Sequence, residues 1–149
     1  MAVARKGILL LRSITLNASE GAGNAIEKLQ RMGWACVEFS KSHPDQMKSI
    51  LTLEGLESGS ISYTRSEVQN LIYNESTVGT VIQLVEQGVV EKMIRSDIPA
   101  ILVAHTLWMS VLSVIRFVSM EEGLFEMLEL SPANIFKSHF ELVLNGIRP

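Results

Sequence analysis

The stretch Asp97-Ile98-Pro99-Ala100-Ile101-Leu102-Val103-Ala104-His105-Thr106-Leu107-Trp108-Met109-Ser110-Val111-Leu112-Ser113-Val114-Ile115-Arg116-Phe117-Val118 decides the fold. Asp97 reads as an acidic helix cap, and Pro99 suits a first turn, where its missing N–H is not needed. Beyond them Ile101, Trp108, Leu112 and Ile115 fall on one helical stripe. Val103, Leu107, Val111, Val114 and Val118 form a second, about a third of a turn or more away. A helix apolar nearly all round is buried on more than one side. The last helix poses the same problem. Ser131-Pro132 starts it, Gly146 closes it as a C-terminal cap, and Ile135, Leu142 and Val143 lie on one side with Phe136 and Phe140 on another. Two such helices predict that each packs inward on its own domain and outward on a second copy, giving a four-helix interface. Trp108 and Leu112 are expected to face inward. Leu107, Val111, Val114, Val118, Phe136, Phe140 and Val143 are expected at the dimer interface. The competing solution is one buried central helix in a monomer.

The same stretch is nearly long enough to cross a bilayer. His105, Thr106, Ser110, Ser113 and Arg116 within it are costly in lipid, so no membrane partner is expected.

Working upstream, the pattern stays helical. Val3, Gly7, Leu10 and Ile14 share a face, although no Ser, Thr, Asp or Asn precedes them as a cap. That helix starts in mid-course: it frays, or something precedes it. Ala18 to Gly23 reads as a loop, after which Asn24 caps a second helix to about Lys41 carrying Ile26, Leu29, Met32, Cys36 and Phe39. Pro44 ends it and opens a short third helix with Met47, Ile50 and Leu51. Leu56 to Thr64 is a polar connector, and Thr64 with Glu67, or Ser66 with Gln69, offers a capping box for the next helix. Asn74-Glu75-Ser76 interrupts the apolar stripe of that helix, and Gly79 and Gly88 weaken it. No alternation of strand type is long enough to count, so the class is all-α and the chain reads as a single domain over residues 1–149.

Composition fits a soluble domain with apolar surface to spare. Of the 149 residues 47% are hydrophobic and 19% charged, with a formal net charge of -3. The excess apolar surface needs a partner or a cavity, and the charge offers no footprint for nucleic acid. A single cysteine, Cys36, excludes an intrachain disulfide and suits a reducing, cytoplasmic setting.

Several segments, taken in order, carry a resemblance. Phe39-Ser40-Lys41-Ser42-His43-Pro44 joins two helices. Arg95-Ser96-Asp97-Ile98-Pro99 follows a helix with Gly88, and Trp108 lies one helical stretch later. The end reads Phe140-Glu141-Leu142-Val143-Leu144-Asn145-Gly146-Ile147-Arg148-Pro149. Over nearly the whole chain these resemble the C-terminal regulatory domain of TetR-family transcription regulators. Val3-Ala4-Arg5-Lys6-Gly7 resembles the helix just after that family's helix-turn-helix, which is itself not part of this chain. Lys92 stands where a second glycine is common after Gly88, and Ser113 where glycine is common in the dimer helix. The resemblance implies a homodimer built on the last two long helices, an effector cavity among the middle helices, and DNA contact only through the missing N-terminal domain.

For the cavity, the residue types point to Trp34, Cys36, Phe39, Met47, Leu51, Leu71 and Tyr73, closed by His105, Met109 and Leu112, around a small, mostly apolar guest. Met32, Met47 and Met109 suit adaptable packing around a guest. Ordinary core packing competes for every apolar member. His105 anchors a ligand, meets its twin across the dimer axis, or finds a local core partner. Glu75 reads as solvated. Catalysis finds no support: no Glu and His share helical ligand spacing, Cys36 lacks an activating charge, and Glu121, Glu122, Glu126 and Glu129 read as a solvated face. The expectation is a non-enzyme with no cofactor or metal. The reading is an effector-sensing, dimerising domain, with a pure dimerisation module of filled core as the alternative.

Overall fold

The computed structural model describes residues 2–21, 23–55, 64–120 and 122–149. The predicted connector over 56–63, together with Ala22 and Glu121, lies outside them. Every regular element among the described residues is helical: α1 (Ala2–Ser19), α2 (Ala25–Ser42), α3 (Pro44–Gly55), α4 (Arg65–Asn70), a π-helical turn (Leu71–Glu75), α5 (Val78–Val90), α6 (Ala100–Met120), α7 (Glu122–Met127) and α8 (Pro132–Gly146).

Local chemistry sets most of these limits. The Asn24 side chain accepts from Glu27 N at 3.0 Å, and Ser131 Oγ accepts from Asn134 N at 3.2 Å, so each satisfies an otherwise orphaned donor. Thr64 and Glu67 form the reciprocal capping box: Thr64 N donates to the Glu67 carboxylate at 2.8 Å and Glu67 N to Thr64 Oγ1 at 3.3 Å.

Other limits depart from the sequence reading. Asp97 does not cap α6. Its carboxylate accepts from Arg95 at 2.6 and 2.7 Å, and the helix begins beyond Pro99, whose carbonyl takes Leu102 N and Val103 N. Gly146 is the last residue of α8 rather than a left-handed cap, a role Ile147 fills in right-handed conformation. The loop expected from Ala18 begins after Ser19, and the polar break at Asn74–Ser76 falls on the end of the π-helical turn, with Ser76 and Thr77 between that turn and α5. After α5 the left-handed residue is Lys92, at φ 58, with Met93 N and Ile94 N both donating to Gly88 O. That is the position at which the resemblance placed a glycine.

α1 packs on α2 and α3, α5 on α6 and α2, and α8 closes over α2 and α6. Leu11, Val37, Phe39, Ile50, Val85 and Ile115 are almost fully buried, each worth about 1.5–3 kcal/mol of transfer free energy at most. The buried Thr15 hydroxyl bonds Leu11 O at 2.9 Å and meets Thr77 Oγ1 at 3.1 Å, tying α1 to the residue before α5. α6 is the one described helix long and apolar enough to cross a membrane, and 33% of its most apolar stretch is buried in this chain. The remainder decides how its outer face must be read.

Candidate functional site

Four helices meet around a small cavity of about 50 Å³. α2 contributes Leu29, Met32, Gly33 and Cys36, which recur at helical spacing on one face. α6 adds Leu107, Trp108, Ser110 and Val111, and α8 adds His139, Phe140, Val143 and Leu144. Thr77 and Val81 close the remaining side. Space of this size admits a few waters or a small guest, but only polar walls hold water well.

The walls are apolar in effect, because their polar groups are already occupied. Ser110 Oγ donates to Leu107 O at 2.9 Å, and Thr77 Oγ1 faces Thr15. Burial pushes the Cys36 thiol up to about 12, so it stays protonated at neutral pH and offers no thiolate. His139 stacks edge-on against Phe140 with centroids 5.6 Å apart, and desolvation lowers its pKa, favouring the neutral ring. Among the described residues no group of three or more His, Cys, Asp or Glu side chains gathers at metal distance.

Phe140 is the pivotal wall. A Cβ on Gly33 would lie 2.5 Å from its ring, so the ring sits directly on bare α2 backbone. Behind it runs a groove between α2 and α8 of about 180 Å³, lined by Ile26, Gln30, Trp34, Lys137, Glu141 and Arg148 among others. Trp34 packs on Phe140 from that side, with centroids 5.0 Å apart.

The ten residues expected to bind a ligand do not converge. Cys36 lines the cavity and Trp34 the groove. Phe39, Met47 and Leu112 are core at 1%, 2% and 4% exposure, and Leu51 and Leu71 are half-buried at its edge. Tyr73 and His105 share a hydrogen bond at 3.3 Å with rings in T-shaped contact, so His105 has a local partner, though not a buried one. Met109 is 63% exposed on the outer side of α6, because it lies about a third of a turn around the helix from the centre of the buried face. Glu75 is not merely solvated. Arg5 donates to its two carboxylate oxygens at 2.6 and 3.0 Å, which holds its pKa below the usual carboxylate range. Leu29, Gly33, Val81 and Val143 line the cavity although their residue types do not mark them for it. A glycine in mid-helix opposite an aromatic was the available signal for them.

The expected dimer set divides as well. Val111, Phe136 and Phe140 point into this chain's own core, at 6%, 3% and 7% exposure, which corrects the outward facing given to them. Leu107, Val114, Val118 and Val143 are half-buried. On α6 and α8 the large apolar side chains left open are Leu102 at 55%, Met109 at 63% and Met120 at 73% on one line of α6, Ile101 and Phe117 beside it, and Leu142 at 75% on α8, while Val90 and Met127 stand still more exposed elsewhere.

No family model matches the sequence, and no curated protein matches it. Solved structures do share the fold. One, a protein of unknown function from Rhodococcus sp. RHA1, superposes with a TM-score of 0.76 at 13% identity, over 99% of this chain and 71% of its own. Another, a candidate TetR-family transcription regulator from Shewanella sp. PV-4, gives 0.71 at 12% identity, over 98% of this chain and 69% of its own. The fold is therefore all-α and TetR-like.

Proposed function

We propose that this chain is the effector-sensing and dimerisation domain of a TetR-like transcription regulator, taking a small, mostly apolar guest. One observation carries the proposal: α6 and α8 line the apolar cavity with one face and expose Leu102, Met109 and Leu142 on another. An exposed apolar stripe of that kind is characteristic of an interaction surface. A second copy applied there makes an isologous four-helix interface. A guest behind Val111 and Val143 then presses on the same helices that the partner touches. Regulation follows if the guest binds one helix spacing better than the other, since only differential affinity shifts such an equilibrium. DNA contact belongs, on this proposal, to a helix-turn-helix head outside these residues, and the acidic net charge of -3 agrees with that division. The site offers no activated nucleophile or metal cluster among the described residues, so a binding role is preferred to catalysis.

The test is a thermal-shift series over small apolar compounds, with native mass measurement of any co-purified guest. A guest at a hundred times its dissociation constant stabilises by about 2.7 kcal/mol, an easily read shift. If no compound raises the midpoint and no guest co-purifies, the sensing role fails. The second reading, a pure dimerisation module, draws on the smallness of the cavity, about 50 Å³, and on the internal pairing of Ser110 and Thr77. It predicts a dimer that no guest stabilises.

A further inference from the structure

The central cavity and the α2–α8 groove are lined in common by Phe140 and Leu144 and by no other residue. Consecutive residues of α2 fall on the two sides, Gly33 toward the cavity and Trp34 toward the groove. The Phe140 ring rests on the bare Gly33 backbone between two aromatic neighbours, Trp34 on the groove side with centroids 5.0 Å apart and His139 at 5.6 Å. A swing of the ring toward solvent bares Gly33 as the floor of a passage and joins the two spaces.

The joined space is chemically two-sided. Its inner end is Leu29, Val81, Val111 and Val143. Its outer end carries Lys137 and Arg148 with Glu141 as the only acid, a positive balance in a chain of net charge -3. Neither cation pairs with an acid among the described residues, whose ion pairs are Arg5–Glu75, Arg31–Glu27, Lys41–Glu38 and Arg95–Asp97.

We propose that Phe140 is a door between the cavity and the groove, and that the ligand is an amphipathic carboxylate with its apolar tail inside and its head among the groove cations. This rests on the ligand-sensing reading and names the ligand class and route for it. Burial of the tail supplies the affinity. The exposed cations contribute less, through selection of an anionic head and steering of its approach.

Titration with octanoate and with 1-octanol, which share a tail and differ in charge, separates these roles. Octanoate binds the parent chain more tightly than octanol. The double variant Lys137→Gln, Arg148→Gln weakens octanoate about three- to tenfold and leaves octanol unchanged, while Glu141→Gln tightens octanoate. Phe140→Ala speeds association of both probes, and Phe140→Leu, which keeps more of the core filled, provides the same comparison if the alanine variant melts early. Equal binding of the two probes, indifferent to the double variant, overturns the carboxylate assignment and leaves the sensing role standing. Association rates unmoved in the folded Phe140 variants overturn the door. Binding of neither probe overturns this proposal, and together with an empty compound panel removes the sensing role too.

Discussion

α2 and α6 are the two long interior helices, and they meet solvent very differently. α2 buries Ile26, Leu29, Met32, Cys36, Val37 and Phe39, and its exposed positions are Glu27, Gln30, Glu38, Lys41 and Ser42. α6 buries Val103, Trp108, Val111, Leu112 and Ile115, but its exposed positions include Ile101, Leu102, Met109, Phe117 and Met120. The first helix is satisfied by its own chain, as an amphipathic helix should be. The second leaves large apolar side chains partly in water, where completing their burial would gain each about half of the roughly 1.5–3 kcal/mol that full burial of such a side chain is worth. The difference locates the proposed partner surface on α6, with Leu142 of α8, and the proposed guest on the opposite face.

Substitutions that exchange the two environments break this contrast most severely. Val111→Glu places an unpaired carboxylate in the core and is expected to cost about 3–5 kcal/mol, read as a lower urea midpoint. An equally large loss for Met109→Glu, measured in the monomeric Leu102→Glu, Leu142→Glu background, would erase the distinction between faces. Gly88→Ala tests the packing of α5 that supports α6. The added Cβ runs into the Ile94 side chain and comes within 3.2 Å of Ala25 Cβ. Overpacking of about 1–3 kcal/mol outweighs the gain of up to about 1 kcal/mol in helix propensity, so chemical denaturation should show a net loss.

How much of this was legible in the sequence depended on how local the cause was. Asn24, Ser131 and the Thr64–Glu67 box were readable because a cap needs only its own next turn. Asp97 read as a cap because its competitor, Arg95, acts through a chelating ion pair that spacing does not reveal. The facing of Val111 and Phe140 was illegible for a deeper reason. A helix apolar on both stripes gives the same pattern whichever stripe faces in, and the choice is made by long-range fit, here the bare Gly33 that receives Phe140. The cavity shares that difficulty. Its walls come from four helices far apart in the sequence, so residue type alone does not show which side chains meet there.

Smaller effects sharpen the comparison at its edges. Lys92 is held at φ 58, a conformation that costs a side-chain-bearing residue about 1–2 kcal/mol, part of which glycine's larger unfolded-state entropy cancels. Lys92→Gly is therefore expected to raise stability by about 0.5–1 kcal/mol, seen as a higher thermal midpoint with an unchanged guest response. The smallest effect concerns His139 at the cavity wall. Burial lowers its pKa in the folded state, so the neutral ring's contribution is whole above the ordinary value near 6.5 and is lost as pH falls below it. Melting from pH 8 to 5 should show a shallower acid-side decline for His139→Gln than for the parent; identical profiles would mean the ring does not sense the cavity.

The central claim, that the outer faces of α6 and α8 serve a second copy while their inner faces serve the guest, meets its most direct test in sedimentation equilibrium. The parent chain should sediment as a dimer at micromolar concentration. The Leu102→Glu, Leu142→Glu variant should sediment as a monomer of 16.5 kDa that keeps its helical circular dichroism and cooperative melting. A monomeric parent, or a variant dimer as tight as the parent's, would contradict the account.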